Sequence, residues 1–272
     1  MSRFTVLGAG GFIGSALVAY LRGEGHEVDA FGRDQWPERR KELGHVVYAI
    51  GLTADFRSRR LDVADSHVCL ITRILREHFF ESLLYLSSTR VYAGAHSTVE
   101  NAGLRVSPLL GDHLYNISKV MGESLVLTDP GPASRVVRLS NVVGVQDQSD
   151  NFLNAVISEA AARGKVVFHT APESERDYVD IADVCKIIAA IVLNGKQRLY
   201  NIANGKNVAN ATIARLLDAQ GIEASFAPNA PVVTYPQIDI EAIRREFGFA
   251  PGLFEDSFRE ILTATRKGLG QL

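Results

Sequence analysis

The sequence predicts an α/β fold, a doubly wound parallel sheet followed by a smaller C-terminal lobe. Three observations carry that expectation. Short apolar runs at 4–7, 27–31, 45–50, 82–87 and 135–140 alternate with helical patterns at 12–23, 62–79 and 112–127. Such alternation is built from parallel strands joined by right-handed crossovers. A glycine cluster stands between the first strand and the first helix. After "RLSNVVG" (138–144) the texture changes: helical segments at 151–163, 182–194, 209–219 and 253–266 are separated by short strands such as "VVFHT" and "LYNIA".

The bulk numbers fit a globular chain. Its 272 residues can bury a large core, and 46% hydrophobic with 22% charged residues is ordinary. A net charge of −2 without a basic stripe argues against nucleic acid as a partner and against a polybasic membrane anchor. The longest apolar run, "IIAAIVL" (187–193), is too short to span a bilayer. Two cysteines, Cys69 and Cys185, do not make a disulfide scaffold, so a reducing, cytoplasmic setting is expected. His67 and Cys69, two apart, do not have metal-site spacing, and no metal is expected.

The first element is "FTVLGAGGFIG". It fails G-x-G-x-x-G because Ile13 stands where the third glycine belongs, yet Gly8, Gly11 and Gly14 form G-x-x-G-x-x-G. A helix starting here, with Phe12, Ile13, Leu17, Val18 and Leu21 on one side, points its free N–H groups and positive dipole end at the loop. Glycines there let the backbone approach a pyrophosphate, so Gly8, Gly11, Phe12, Ile13 and Gly14 are expected cofactor contacts. The second strand ends in "HEVDAFGRD". Gly32 leaves room and Arg33 can grip a 2′-phosphate, which favours NADP(H). In the alternative, Arg33 is a solvated charge and Asp34 or Asp29 holds the ribose of NAD(H).

Between 27–31 and 45–50 lie only about a dozen residues, room for one short helix. "RKELG" and "RREFG" read as helix ends, and Asp62 reads as the N-cap of helix 62–79. Tyr115 and Lys119 share a helix face in "YNISK", where the ammonium would favour the phenolate. Ser88 ends the strand "YLSSTRVY" and can bond the same reacting oxygen.

Taken together, the sequence resembles the extended short-chain dehydrogenase/reductases, the NAD-dependent epimerase/dehydratase group, over most of its length. "GAGGFIG", "SSTRVY", "YNISKVMGE", "RLSNVVG" (with Val143 in place of a tyrosine), "ERDYVDIADV" and "LYNIANG" carry the likeness. The resemblance implies a Rossmann-type fold with Ser88, Tyr115 and Lys119 as the catalytic trio, Lys119 also holding the nicotinamide ribose. It places Asn141 and Arg176 near the diphosphate of a nucleotide-linked sugar, with Ser88 also contacting that substrate. An ion pair of Arg176 with Asp177 or Glu173 is the other reading. Residues 1–143, with returning segments near 177–203, would form the NAD(P)-binding domain. Residues 144–176 and 204–272 would form the substrate lobe, and a homodimer would fit the family.

Three departures narrow the expectation. Thr89 and Arg90 stand where the family's dehydratases carry Asp-Glu, so dehydration is disfavoured. The family's third strand is missing or rebuilt, giving a trimmed sheet. No arginine precedes Asp239 in "VVTYPQIDIEAIRREFG", where many nucleotide-sugar enzymes of the group place one. The leading expectation is an NADPH-dependent 4-ketoreductase. An NAD-dependent epimerase is the alternative, and a non-catalytic dinucleotide sensor or scaffold the second.

Overall fold

The computed structural model describes residues 1–52, 57–129, 133–145 and 151–270. The first half runs β1 (Arg3–Leu7), α1 (Phe12–Gly23), β2 (Glu27–Phe31), β3 (His45–Tyr48), α2 (Arg60–Ala64), a π-helical turn (Asp65–Cys69), α3 (Leu70–Glu77), β4 (Ser82–Ser88), a 3-10 turn (Thr89–Tyr92), α4 (His113–Thr128) and β5 (Ser134–Leu139). Next come β6 (Asn141–Val143), α5 (Phe152–Arg163), β7 (Lys165–Phe168), β8 (Glu175–Asp180), α6 (Ile181–Asn194) and β9 (Leu199–Ile202). The chain closes with β10 (Asn207–Ala209), α7 (Asn210–Asp218), β11 (Glu223–Phe226), α8 (Glu241–Phe247) and α9 (Phe254–Gly268).

Six parallel strands form the central sheet in the order β2-β1-β3-β4-β5-β9. The middle of β4, "LLYL" (83–86), is an apolar run because helices cover the strand on both faces. On one face, Leu17, Val18 and Leu21 of α1 join Val184, Ile188 and Ile191 of α6 in one core. Each such side chain contributes about 1.5–3 kcal/mol by leaving water. The chain order reverses between β1 and β3, and the crevice beyond the C-terminal ends of such strands is where open α/β sheets bind ligands.

The stretch 32–44 holds neither strand nor helix, so the sheet is trimmed at this edge. The short helix allowed for here does not form, and "RKELG" is not a helix end. Arg40 instead turns with φ 62°, Glu42 bridges to Phe79, and Leu43 is fully buried. The cause is the path: a short connection must dip Leu43 into the core before it can enter β3. Helix 62–79 also differs from expectation. It starts at Arg60 with Arg59 as its N-cap, Asp62 pairs with Arg59 at 2.7 Å, and a π-turn divides it.

Beyond β5, β10-β8-β6 form a three-stranded sheet and β11-β7 a parallel pair. Ile157, Phe168, Tyr178, Leu217, Phe254 and Phe258 belong to a second core. Arg176 and Asp177 of β8, next to Tyr178 of this core, reach the cavity described below. No helix among the described residues is long and apolar enough to cross a membrane.

Candidate active site

The glycine loop is shaped by crowding. The N–H groups of Gly8 and Ala9 both donate to the Phe31 carbonyl, at 2.9 and 3.0 Å, which draws the loop to the end of β2. Gly8 has φ +89°, and a Cβ there would stand 2.8 Å from the Ala49 carbonyl. A Cβ on Gly14 would drive into the Gly8 carbonyl oxygen. Gly11 is the N-cap of α1 and offers no side-chain cap, leaving the helix mouth open, whereas Gly10 faces free space. Gly11, Phe12, Ile13 and Gly14 line a cavity of about 500 Å³ whose far wall carries Ser88, Tyr115 and Lys119. A helix N-terminus with backbone on both sides and no side chain in the way fits the pyrophosphate of a dinucleotide.

Ser88 ends β4, and its Oγ accepts from the Arg90 N–H to start the 3-10 turn. Ser88 and the Tyr115 hydroxyl line the same cavity. Burial raises the Tyr115 pKa above its ordinary value, while the Ser88 side chain and the Arg90 charge pull it back. Arg90 lies over the Tyr115 ring at 5.7 Å and 3.8 Å from Asp112, which Arg57 grips with two bonds of 2.7 and 2.8 Å. Lys119, one turn beyond Tyr115, is 4% exposed and donates to the Leu86 carbonyl at 2.9 Å. Burial draws its pKa down to about 7, with Glu123 pulling the other way. Glu123 is itself buried against Arg138 at 2.7 Å.

On the facing side, Asn141 lines the cavity and donates to the Asp177 carbonyl at 2.8 Å. The Asp177 carboxylate accepts from the N–H groups of Asn204 and Gly205, at 2.9 and 2.7 Å, and forms no ion pair with Arg176 among the described residues. Arg176 instead lays its guanidinium 4.0 Å from the Phe152 ring centroid and 5.8 Å from that of Tyr235. Its Nη1 is buried without a hydrogen-bond partner among the described residues. Arg33 is exposed just beyond β2, outside the cavity lining. Asp29 is occupied by Arg3 and Lys41, at 2.8 and 3.2 Å, and Asp34 is exposed.

The structure thus brings Gly11, Phe12, Ile13, Gly14, Ser88, Tyr115, Lys119, Asn141 and Arg176 around one cavity, with Gly8 beneath it and Arg33 apart. Sequence reasoning passed over Phe152, Tyr235 and His67. The aromatic pair comes from two distant segments. His67 carried a faint signal: Val63, His67 and Ile71 are four apart, so the histidine occupies an apolar position of its helix.

The chain is 24% identical over 259 residues to a dTDP-4-dehydro-6-deoxy-D-allose reductase from a Streptomyces species, covering 79% of each chain. Its fold is similar to that of MoeE5 in complex with UDP-glucose and NAD, with a TM-score of 0.81 at 22% identity, covering 98% of this chain and 99% of that one. It is also similar to RMD from Pseudomonas aeruginosa complexed with NADPH, with a TM-score of 0.80 at 20% identity, covering 98% and 100%. The sequence profile of the NAD dependent epimerase/dehydratase family matches residues 4–79 and 45–203. That span runs from β1 through β9 and carries the glycine loop together with the Ser88–Tyr115–Lys119 corner, and the chain belongs to the NAD dependent epimerase/dehydratase family.

Proposed function

We propose that this chain is an NADPH-dependent reductase acting on a keto carbon of a nucleotide-linked sugar, in the manner of a 4-ketoreductase. The observation that carries the reading is that Ser88, Tyr115 and buried Lys119 line one cavity with the glycine loop. Gly8, Gly11, Phe12, Ile13 and Gly14 would hold the pyrophosphate of the dinucleotide, and Lys119 its nicotinamide ribose. When bound, the nicotinamide supplies hydride at its C4. Tyr115 donates its phenolic proton to the carbonyl oxygen as that oxygen gains charge. Ser88 hydrogen-bonds the same oxygen, and the Lys119 ammonium favours the phenolate left behind.

Arg176, with a donor still unspent, and Asn141 beside it support a diphosphate-bearing substrate. Thr89 and Arg90, neither of them a carboxylic acid, support reduction over dehydration. Arg33 beyond β2, with Asp29 engaged elsewhere, supports NADPH over NADH. The reductase relative supports the same direction. Residues 1–143 and the returning segments near 177–203 would seat the cofactor, and 144–176 with 204–272 would present the substrate.

The test is turnover of a dTDP-linked 4-ketohexose with NADPH and with NADH. NADPH should be consumed one for one with product. Tyr115→Phe should keep cofactor affinity and lose about 10²–10⁴-fold in kcat. Near-normal kcat in that variant would remove the catalytic assignment. Product formation with no net NADPH oxidation, on protein that carries bound NAD, would replace the reductase by an epimerase.

A further inference from the structure

His67 is fully buried in the π-turn, and its ring meets that of Tyr115 edge-on, with centroids 5.2 Å apart at 89°. Its Nδ1 lies 2.8 Å from the Ser118 Oγ. The Ser118 hydroxyl already donates its proton to the Tyr115 carbonyl at 2.8 Å. The serine oxygen is therefore the acceptor, and Nδ1 carries the imidazole hydrogen. Nε2 is left with its lone pair and accepts from the Leu52 N–H at 3.3 Å. A Cβ on Gly51 would stand 3.4 Å from the Lys119 Nζ and 3.7 Å from Nε2, so both nitrogens flank one point of the loop past β3.

The surroundings are built to hold this turn. A π-turn inserts a residue into the helical ladder and displaces carbonyls. Tyr48 donates to the Ser66 carbonyl at 2.6 Å and Tyr85 to the His67 carbonyl at 3.1 Å, with the two rings stacked 5.5 Å apart. The Tyr85 ring is also 5.1 Å from Lys119 Nζ. An apolar side chain here would leave the Leu52 N–H without its acceptor and Ser118 without the Nδ1 contact. The imidazole binds loop 51–52, the π-turn and the Tyr115 turn of α4 at once.

Resting on the Tyr115–Lys119 reading above, we propose that His67 is a positioning residue for that pair. It acts as a neutral, Nδ1-protonated imidazole that fixes the α4 turn against loop 51–52 and keeps a second positive charge away from Lys119. The charged and titratable groups around Lys119 are Tyr115 and Glu123 on α4, Tyr85 on β4 and His67 on the π-turn. Arg138 on β5 pairs with Glu123, and Arg90 lies over Tyr115. Burial and the Lys119 charge hold the imidazole neutral, with its pKa pushed down to about 2.

Two measurements test this. With ¹⁵N-histidine label, one of the seven histidines, identified by its absence in His67→Gln, should show the Nδ1–H tautomer. It should not titrate between about pH 5.5 and 8, where an ordinary imidazole does. An Nε2–H tautomer or a titration in that window overturns the proposal. In turnover of the dTDP-linked 4-ketohexose with NADPH, His67→Leu should lose about tenfold to a hundredfold in kcat at unchanged NADPH affinity. Its alkaline limb should shift from the wild-type position, because the α4 turn that carries Tyr115 and Lys119 is no longer tied to loop 51–52. His67→Gln, which can both donate and accept, should recover most of the loss. If Tyr115→Phe is inactive while His67→Leu keeps wild-type kcat and pH limb, the role of His67 falls and the catalytic reading stands. If Tyr115→Phe turns over normally, the catalytic reading falls instead.

Discussion

The wall formed by β4, α4 and β5 and the rim formed by Asn141 and Arg176 hold their polar groups in different ways. On the wall, Lys119, Glu123 and Arg138 are each no more than 4% exposed. Their partners are interior: Leu86 for the lysine, Ser87 and Arg138 for the glutamate, and Tyr92 with the Glu100 carbonyl for the arginine. On the rim, Arg176 rests on aromatic rings, and its Nη1 has no hydrogen-bond partner among the described residues. A desolvated, saturated network is costly to disturb and defines one geometry. A cation stacked on rings is held in place with its hydrogen bonds still to give. The wall is thereby suited to hold one fixed geometry and the rim to receive a ligand.

The largest effect that tests this contrast is on stability. Glu123→Gln leaves the Arg138 guanidinium buried opposite a neutral amide, and should cost about 3–5 kcal/mol in denaturant unfolding. The double variant with Arg138→Met should recover much of that loss, because the stranded charge is gone. A single-variant loss like that of a surface change would show that the wall is not a coupled network.

Next in size is the cost of burying Lys119. The Lys119 pKa is drawn from its ordinary 10.5 to about 7 in the folded chain. The unfolded state therefore binds the extra proton between these values, so stability rises with pH across that window and the penalty is full below about 7. Lys119→Met should raise Tm near pH 7 and abolish turnover, and the gain in Tm should shrink as pH approaches 10.5. A variant less stable at every pH would contradict the claim that the ammonium is held at a cost.

The smallest effect belongs to the rim. Arg176→Gln should leave Tm nearly unchanged and raise KM for the nucleotide-linked sugar about tenfold, the worth of one charge-assisted hydrogen bond, with kcat little altered. A fall in kcat at constant KM would move Arg176 from recognition to chemistry.

The same contrast divides what the sequence makes legible. Gly8 and Gly14 announce themselves because the backbone crowds there, and only glycine fits. Tyr115 and Lys119 are readable because a helix places residues four apart on one face. The middle of β4 is readable because a strand covered by helices on both faces is apolar there. The π-turn leaves no compositional mark, since it changes the ladder rather than the residue types, and His67 passes for a scattered histidine. "RKELG" misled for a related reason: its basic residues and final glycine are those of a helix C-terminus, but burial of Leu43 and the bridge to Phe79 decide its path. Phe152, Arg176 and Tyr235 come from three separate segments, so no local pattern could have joined them.

By itself, then, the sequence determined the parallel sheet, the glycine cradle, the Ser88–Tyr115–Lys119 order and the loss of a strand–helix unit at 32–44. Each follows from local sterics, helical or strand periodicity, or chain length. Only the tertiary structure decided that Asp29 is spent on Arg3 and Lys41, that Arg176 is set on aromatic rings, and that the His67 imidazole stands against the Tyr115–Lys119 turn. Those outcomes depend on which side chains packing brings together and which it strips of water, and that information is not local to any stretch of the chain.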